Sequence, residues 1–190
     1  MLFGPLSASS LQQKRSFLEG KLGEVIGSPL LDVRDEPFVK RGFGSRLFDG
    51  EGIAAKPFPL FEKGALRSYY VDTYYGRKLG MRPTSGRMSN LAWAPGTRSL
   101  GELLAHLDNG VLVTGFLGGN SNGTTGDFSL GVKGFRIRGG AISEPVGEMN
   151  LSGNHLELWK RLSAVGNDPY PYSSMRTPTL VFDGVQLAGL

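Results

Sequence analysis

The stretch "GDFSLGVKGFRIRGGAISEPVGEMNLSGN" constrains the fold of this chain more than any other. Phe128, Leu130 and Val132 alternate with small or polar residues, the period of a strand with one buried face. After Gly134 the apolar pattern resumes at Phe135 and Ile137, one residue out of phase. A one-residue slip turns every side chain to the opposite face, so the spacing predicts a β-bulge at Gly134. Gly139 and Gly140 then supply a two-residue hairpin turn into "AISEPVGEMNLSG". A chain built around this unit is committed to antiparallel pairing.

The rest of the sequence adds strands and a few helices. Residues 9–22 carry Leu11, Leu18 and Leu22 at roughly helical spacing, with Ser9 or Ser10 as cap. "GEVIGSPLLDV" reads as extended. "GIAAKPFPLF" and "ALRSYYV" flank "EKG" as a hairpin, and Pro57 and Pro59 require an edge or a bulge there because proline has no N–H to donate. "DTYYGRKLG" predicts a short helix stopped by Gly80. "SLGELLAHLDNG" has the capping-box spacing at Ser99 and Glu102, with Gly110 at its end. "VLVTGFL" is an apolar strand. "NHLELWKRLSAVG" predicts a helix capped by Asn154 with Leu158, Trp159, Leu162 and Val165 inward, and "TLVFDGVQLAGL" a closing hairpin through Asp183 and Gly184. The expected class is α+β: a curled, mostly antiparallel, barrel-like sheet with a few flanking helices, forming one domain over residues 1–190.

Composition narrows the function classes. Glycine makes up 29 of 190 residues, about twice the usual ~7%, and is scattered among apolar runs as turns and bulges. No run approaches the ~18 apolar residues of a membrane helix, and the start lacks the pattern of a signal peptide. Without cysteine there is neither a disulfide framework nor a thiolate metal site. A cytoplasmic home is the expectation. Residues 1–100 hold 15 Lys and Arg against 9 Asp and Glu, and residues 101–190 hold 6 against 8. The densest basic part, residues 66–98, interleaves Arg67, Arg77, Lys78, Arg82, Arg87 and Arg98 with four tyrosines. Such a mixture can hold a phosphate backbone and stack bases, but no nucleic-acid motif accompanies it, and a solvated face beside core tyrosines is the plainer reading.

The residue types offer little for catalysis. A phosphate loop wants G-x-x-x-x-G-K-[ST], whereas Gly126 is followed by Asp127, whose charge repels a phosphate. A dinucleotide fingerprint opens a helix, and this loop opens a strand. The only histidines, His106 and His155, are far apart in the sequence, and neither has a second imidazole one turn away. Ser129, His155 and Asp127 could be drawn as a hydrolytic set, but Ser129 and Asp127 lie two apart on one strand and make a loose pair. Asp49 and Glu51 in "FDGEG" could face a cation or flank a tight turn, and the turn is favoured.

Several long pieces, among them "SRLFDGEGIAAKPFPLFEKGALRSYYVDTYYGRKLG", "NGTTGDFSLGVKGFRIRGG", "AISEPVGEMNLSGN" and "LELWKRLSAVGND", follow the order found in the C-terminal domain of the TldD/PmbA family. The chain resembles that domain over essentially its whole length. The family is described both as modulators of DNA gyrase and as peptide-maturation peptidases. The resemblance implies that the N-terminal domain of a typical member is absent here. It also implies a two-subunit zinc peptidase, in which the TldD-like subunit carries an H-E-x-x-x-H helix and a late cysteine. Histidines there hold the metal and the glutamate serves as general base on its water.

This sequence has no H-E-x-x-x-H, and "GNDPYPYSSMRTPTL" has no cysteine. "TGDFS" is similar to the wording of the PmbA-like, or TldE-like, subunit that lacks the ligands. The expectation is therefore a partner without catalytic or metal residues of its own, with zinc in a TldD-like subunit. It would pair with that subunit or with itself and hold an unfolded peptide, with no membrane or nucleic acid among its partners. Asn122, Gly123, Gly126, Asp127 and Ser129 are the candidate peptide- or partner-binding residues, small enough to let another backbone approach and add as a strand. The competing reading is that Asn122 and Asp127 only satisfy turn N–H groups. Two rival functions stay open: a fragment of an active TldD-type peptidase without its metal helix, and a gyrase- or nucleic-acid-associated binder.

Overall fold

The computed structural model describes residues 2–189. In chain order its elements are α1 (Ala8–Gln12), β1 (Val33–Asp35), β2 (Phe58–Glu62), β3 (Ala65–Leu66), α2 (Thr73–Leu79), β4 (Leu91–Trp93) and α3 (Leu100–Ala105). Then follow β5 (Asn109–Ser121), β6 (Asp127–Arg138), β7 (Ala141–Asn154), α4 (His155–Lys160), β8 (Leu162–Val165), β9 (Leu180–Phe182) and β10 (Leu187–Ala188). Three open antiparallel sheets result, ordered β3-β2-β1-β4, β10-β7-β6-β5 and β8-β9. The class is α+β with mostly antiparallel sheets, and none of them closes into a barrel.

Local signals produced several elements as expected. Ser99 accepts from the Glu102 N–H while Glu102 reaches back to the Ser99 N–H, closing the capping box of α3. Asp72 caps α2, and Gly80 ends it at φ 65°. Gly139 and Gly140 turn at φ 53° and 79°, the left-handed pair that a two-residue hairpin needs. Asp49 takes the turn role: its Oδ1 accepts from Glu51 and Ile53 N–H at 2.9 and 3.0 Å. Pro59 lies in an inner strand, opposite a register irregularity at Val33 and Arg34, which is the bulge its missing N–H requires.

Four expectations gave way to tertiary contacts. The helix predicted over residues 9–22 stops at Gln12, with Ser7 as its cap. Lys14 turns at φ 57°, and the Phe17 N–H donates across the molecule to the Gly123 carbonyl. The helix predicted through Val165 stops at Lys160, and Leu162 and Val165 become buried strand residues paired with Phe182 and Leu180. The segment around Asp183 and Gly184 is a turn, but its two arms join different sheets, β9 pairing with β8 and β10 with β7. Residues 23–32 are turns and isolated bridges; only at Val33 does the chain extend into a strand.

The β5-β6-β7 ribbon carries the candidate site. Arg138 faces Ala141 at the hairpin, and an unbroken ladder would set Asp127 opposite Ser152. Two irregularities, between Val132 and Gly134 and between Phe135 and Ile137, each place one additional β7 residue in the ladder, so Asp127 meets Asn154 instead. The β5 side has two as well, at Val113/Gly115 and Phe116/Gly118. Each bulge increases local twist, which curls the ribbon. Gly134 is obligatory here, because a Cβ on it would lie 1.9 Å from the Leu112 carbonyl oxygen. Ile137 is buried as expected, while Phe135 falls on the outer face and is 37% exposed.

Apolar burial is divided between two clusters. The larger joins Leu6, Leu18, Leu31, Val33, Leu60, Phe61, Leu66 and Leu91 under the first sheet. The smaller consists of Phe128, Leu130, Val132 and Met149 on the inner face of the ribbon. His155 and Phe17 close the space between the ribbon and the N-terminal segment. Among the described residues no helix is long and apolar enough to cross a membrane.

Candidate functional site

The loop between β5 and β6 is a closed turn whose polar groups hold one another. The Asn122 N–H donates to the Asp127 carbonyl and the Gly126 N–H to the Asn122 carbonyl, both at 2.8 Å. Asn122 Oδ1 accepts from the Thr124 and Thr125 N–H groups at 2.9 and 3.3 Å. Thr125 Oγ1 donates to Asp127 Oδ2 at 2.6 Å, and the Asn154 amide donates to Asp127 Oδ1 at 2.9 Å and to the Thr125 carbonyl at 3.0 Å. These two side-chain donors, Thr125 first, hold the Asp127 carboxyl below its usual range. It is an exposed carboxylate, fixed in orientation.

Beneath the loop, His155 is the one buried imidazole among the described residues. It stacks on Phe17 at 5.6 Å and tilts against Phe128 at 4.8 Å, centroid to centroid. Its Nε2 is 3.1 Å from Ser121 Oγ, while Nδ1 has no partner among the described residues. Burial pushes its pKa down to about 4, so the ring is neutral near pH 7. The His155 N–H donates to the Gly126 carbonyl at 2.8 Å, and Gly126 itself sits at φ 84° with Phe17 and Asn154 close to where a Cβ would stand. Ser129 belongs elsewhere: it exchanges hydrogen bonds with Asn150 across β7. Of the residues expected from sequence, Asn122, Gly123, Gly126 and Asp127 therefore share one turn and Ser129 lies apart. Asn154, His155 and Ser121 complete the turn's support and were not foreseen as such. The backbone that approaches Gly123 in this chain is its own, through the Arg15 carbonyl.

Serine, histidine and aspartate do not assemble as a hydrolytic set, since His155 meets Ser121 and Asp127 meets Asn154. Zinc fits no better. His106 is exposed with Nδ1 2.7 Å from the Glu102 carbonyl, His155 is enclosed by aromatic rings, and cysteine is absent. Among the described residues no three His, Cys, Asp or Glu side chains converge, whereas a zinc site takes three or four such ligands. In the basic stretch Tyr69 and Tyr70 are buried, which removes them as a platform for stacked bases. On the solvent side, β5 is the outermost strand of its sheet, and a cleft of about 410 Å³ lies beside Phe128, Asn154, Glu157, Arg161 and Gln186.

The family model of the PmbA/TldA metallopeptidase C-terminal domain matches residues 1–189. The chain belongs to the PmbA/TldD metallopeptidase family. A solved protein from Bacteroides thetaiotaomicron, named as a proposed modulator of DNA gyrase, superposes with a TM-score of 0.96 at 48% identity, over 99% of this chain and 43% of that one. TldE from Thermococcus kodakarensis superposes with a TM-score of 0.91 at 26% identity, over 100% of this chain and 46% of its own. Metalloprotease PmbA of Escherichia coli O157:H7 is 30% identical over 190 residues, 99% of this chain and 42% of the relative. The chain thus spans less than half the length of these family members.

Proposed function

We propose that this chain is the C-terminal domain of a PmbA/TldE-like subunit, the partner without metal in a two-subunit zinc peptidase that matures and degrades peptides. The observation that carries this reading is the donor set: no cysteine, one exposed histidine, one buried histidine committed to aromatic packing. Zinc then belongs to a TldD-like subunit, and this chain contributes shape and main-chain hydrogen bonds.

The edge strand β5 suits that role. It presents 13 residues, Asn109–Ser121, with no neighbouring strand on its outer side among the described residues. An unpaired edge can take up an extended segment through backbone hydrogen bonds without demanding a sequence. Gly118 leaves open space where a side chain would stand, and the strand leads directly to Asn122. The segment that adds here is the partner subunit or an unfolded peptide, with the ordered Asp127 carboxylate at its end. Alanine at Asn122 or Asp127 should weaken assembly or peptide cleavage in the reconstituted pair; unchanged assembly and turnover would remove both from the site.

A further inference from the structure

Asparagine precedes glycine twice in the chain, at Asn109-Gly110 and Asn122-Gly123. Asparagine is a chemically labile residue at elevated temperature, and a following glycine has no Cβ to keep its backbone nitrogen from the side-chain amide. The two pairs sit in different surroundings. Asn109 and Gly110 face Arg138 and Ile137 within the β5–β6 ladder, where the extended backbone holds nitrogen and side chain apart. Asn122 is exposed and opens the turn between the strands. The Gly123 N–H donates to no acceptor among the described residues, so nothing has to break to free that nitrogen. Only the asparagine is tied down. Its Oδ1 accepts from the Thr124 and Thr125 N–H groups at 2.9 and 3.3 Å, and its own N–H and carbonyl bond to Asp127 and Gly126 at 2.8 Å.

The reaction open to this pair is intramolecular. The Gly123 nitrogen forms a bond to Asn122 Cγ, the Cγ–Nδ2 bond breaks, and the Gly123 proton leaves with the amide nitrogen as ammonia. One water then opens the resulting succinimide. Attack at Cγ leaves aspartate, and attack at the main-chain carbonyl leaves isoaspartate, whose backbone runs through Cβ and Cγ. To bring Cγ onto the nitrogen, Asn122 must rotate out of the Thr124 and Thr125 bonds, because attack needs the two atoms in contact and aligned. The closed turn therefore protects the residue, and the struts of the turn decide how often it opens.

Those struts come from outside the turn. The Asn154 amide reaches in from β7 to the Thr125 carbonyl at 3.0 Å and Asp127 Oδ1 at 2.9 Å, and the Phe17 N–H holds the Gly123 carbonyl at 2.8 Å. We propose that Asn122-Gly123 is a self-modification site gated by these struts: Asn122 converts to aspartate and isoaspartate from the open turn, and the conversion keeps the turn from closing again. An isoaspartyl residue adds a methylene to a turn closed by two short backbone bonds, so the two cannot re-form together. Either product also places a second carboxylate in the turn that holds Asp127, and like charges repel. The change runs one way.

The test incubates the purified full-length protein that contains this chain at mildly alkaline pH, well below its melting temperature. Peptide mass spectrometry follows Asn122 and Asn109, and enzymatic methylation detects isoaspartate. Asn154→Ala removes both of its contacts with the turn and is expected to speed conversion at Asn122 by about tenfold, against about threefold for Asp127→Ala. Asn109, inside the ladder, should convert no faster in either variant. Adding Gly123→Ala to Asn154→Ala should return the rate to the parent's or below, since residue 123 supplies the attacking nitrogen; its methyl would stand 3.3 Å from the Arg15 carbonyl oxygen, a contact that a small shift relieves. Equal rates at Asn122 in the parent and both variants overturn the gate. An equal rise at Asn109 traces the effect to global unfolding and overturns it as well. No conversion at Asn122 in Asn154→Ala, or a rate that Gly123→Ala leaves unchanged, overturns the site itself.

Discussion

Asp127 faces Asn154 across the β6–β7 ladder, and the Asn154 side-chain amide donates to Asp127 Oδ1 at 2.9 Å. The pairing exists because two bulges have moved the register by two residues since the hairpin. Asn154 is also the cap of α4, its Oδ1 accepting from the Leu156 N–H at 2.9 Å. One side chain therefore joins the end of the ribbon, the glycine loop and the start of a helix.

Asn154→Ala should be costly for a residue near the surface. It removes the cap and both loop contacts, an expected loss of about 2 kcal/mol. For a chain of this length that lowers the melting temperature by roughly 4–8 °C, readable by calorimetry. Asp127→Ala should destabilise less, since the Asn122 turn and the cap both survive it.

His155 makes stability depend on pH. Its pKa is about 4 in the folded chain against an ordinary 6.5. Between these values the unfolded chain binds the proton and the folded chain does not, so stability falls as pH drops from 6.5 toward 4. The loss is on the order of 2–3 kcal/mol. His155→Gln should flatten that window, which a difference between denaturant titrations of the two proteins isolates, since carboxylate contributions common to both cancel.

The close approach of β5 at Gly134, beside the register irregularities of both neighbouring strands, predicts a sharp contrast between two glycines of one ribbon. Gly134→Ala drives a methyl into the Leu112 carbonyl and should cost roughly 3 kcal/mol or more, or prevent folding. Gly147 has open space where a methyl would stand, with nothing within 4 Å, and no left-handed φ. Gly147→Ala should therefore lie within about 0.5 kcal/mol of the parent. Urea unfolding of both variants checks the pair.

These cases separate what was legible in the sequence from what was not. Ser99 with Glu102, Asp72 with Gly80, and Gly139 with Gly140 act within a few residues, so their spacing alone specified a cap, a stop and a turn. Residues 13–22 and 162–165 have helical apolar spacing, but contacts with Gly123 and with Phe182 decided their conformation. Those contacts come from distant parts of the chain, where no local pattern announces them. At the site, Asn122 and Asp127 announced themselves as turn formers. Asn154, Ser121 and His155 could be placed beside them only by counting four bulges correctly, and only the one at Gly134 left a mark on the apolar pattern.

The central claim concerns which subunit holds the metal and does the chemistry. Its most direct test is metal analysis of the purified full-length protein that contains this chain, coupled to a peptide-cleavage assay with and without the TldD-type subunit. The account predicts no stoichiometric zinc and no cleavage for that protein alone, with cleavage appearing on addition of the second subunit. Stoichiometric zinc gripped by this chain's own side chains, together with cleavage in the absence of any partner, would contradict it.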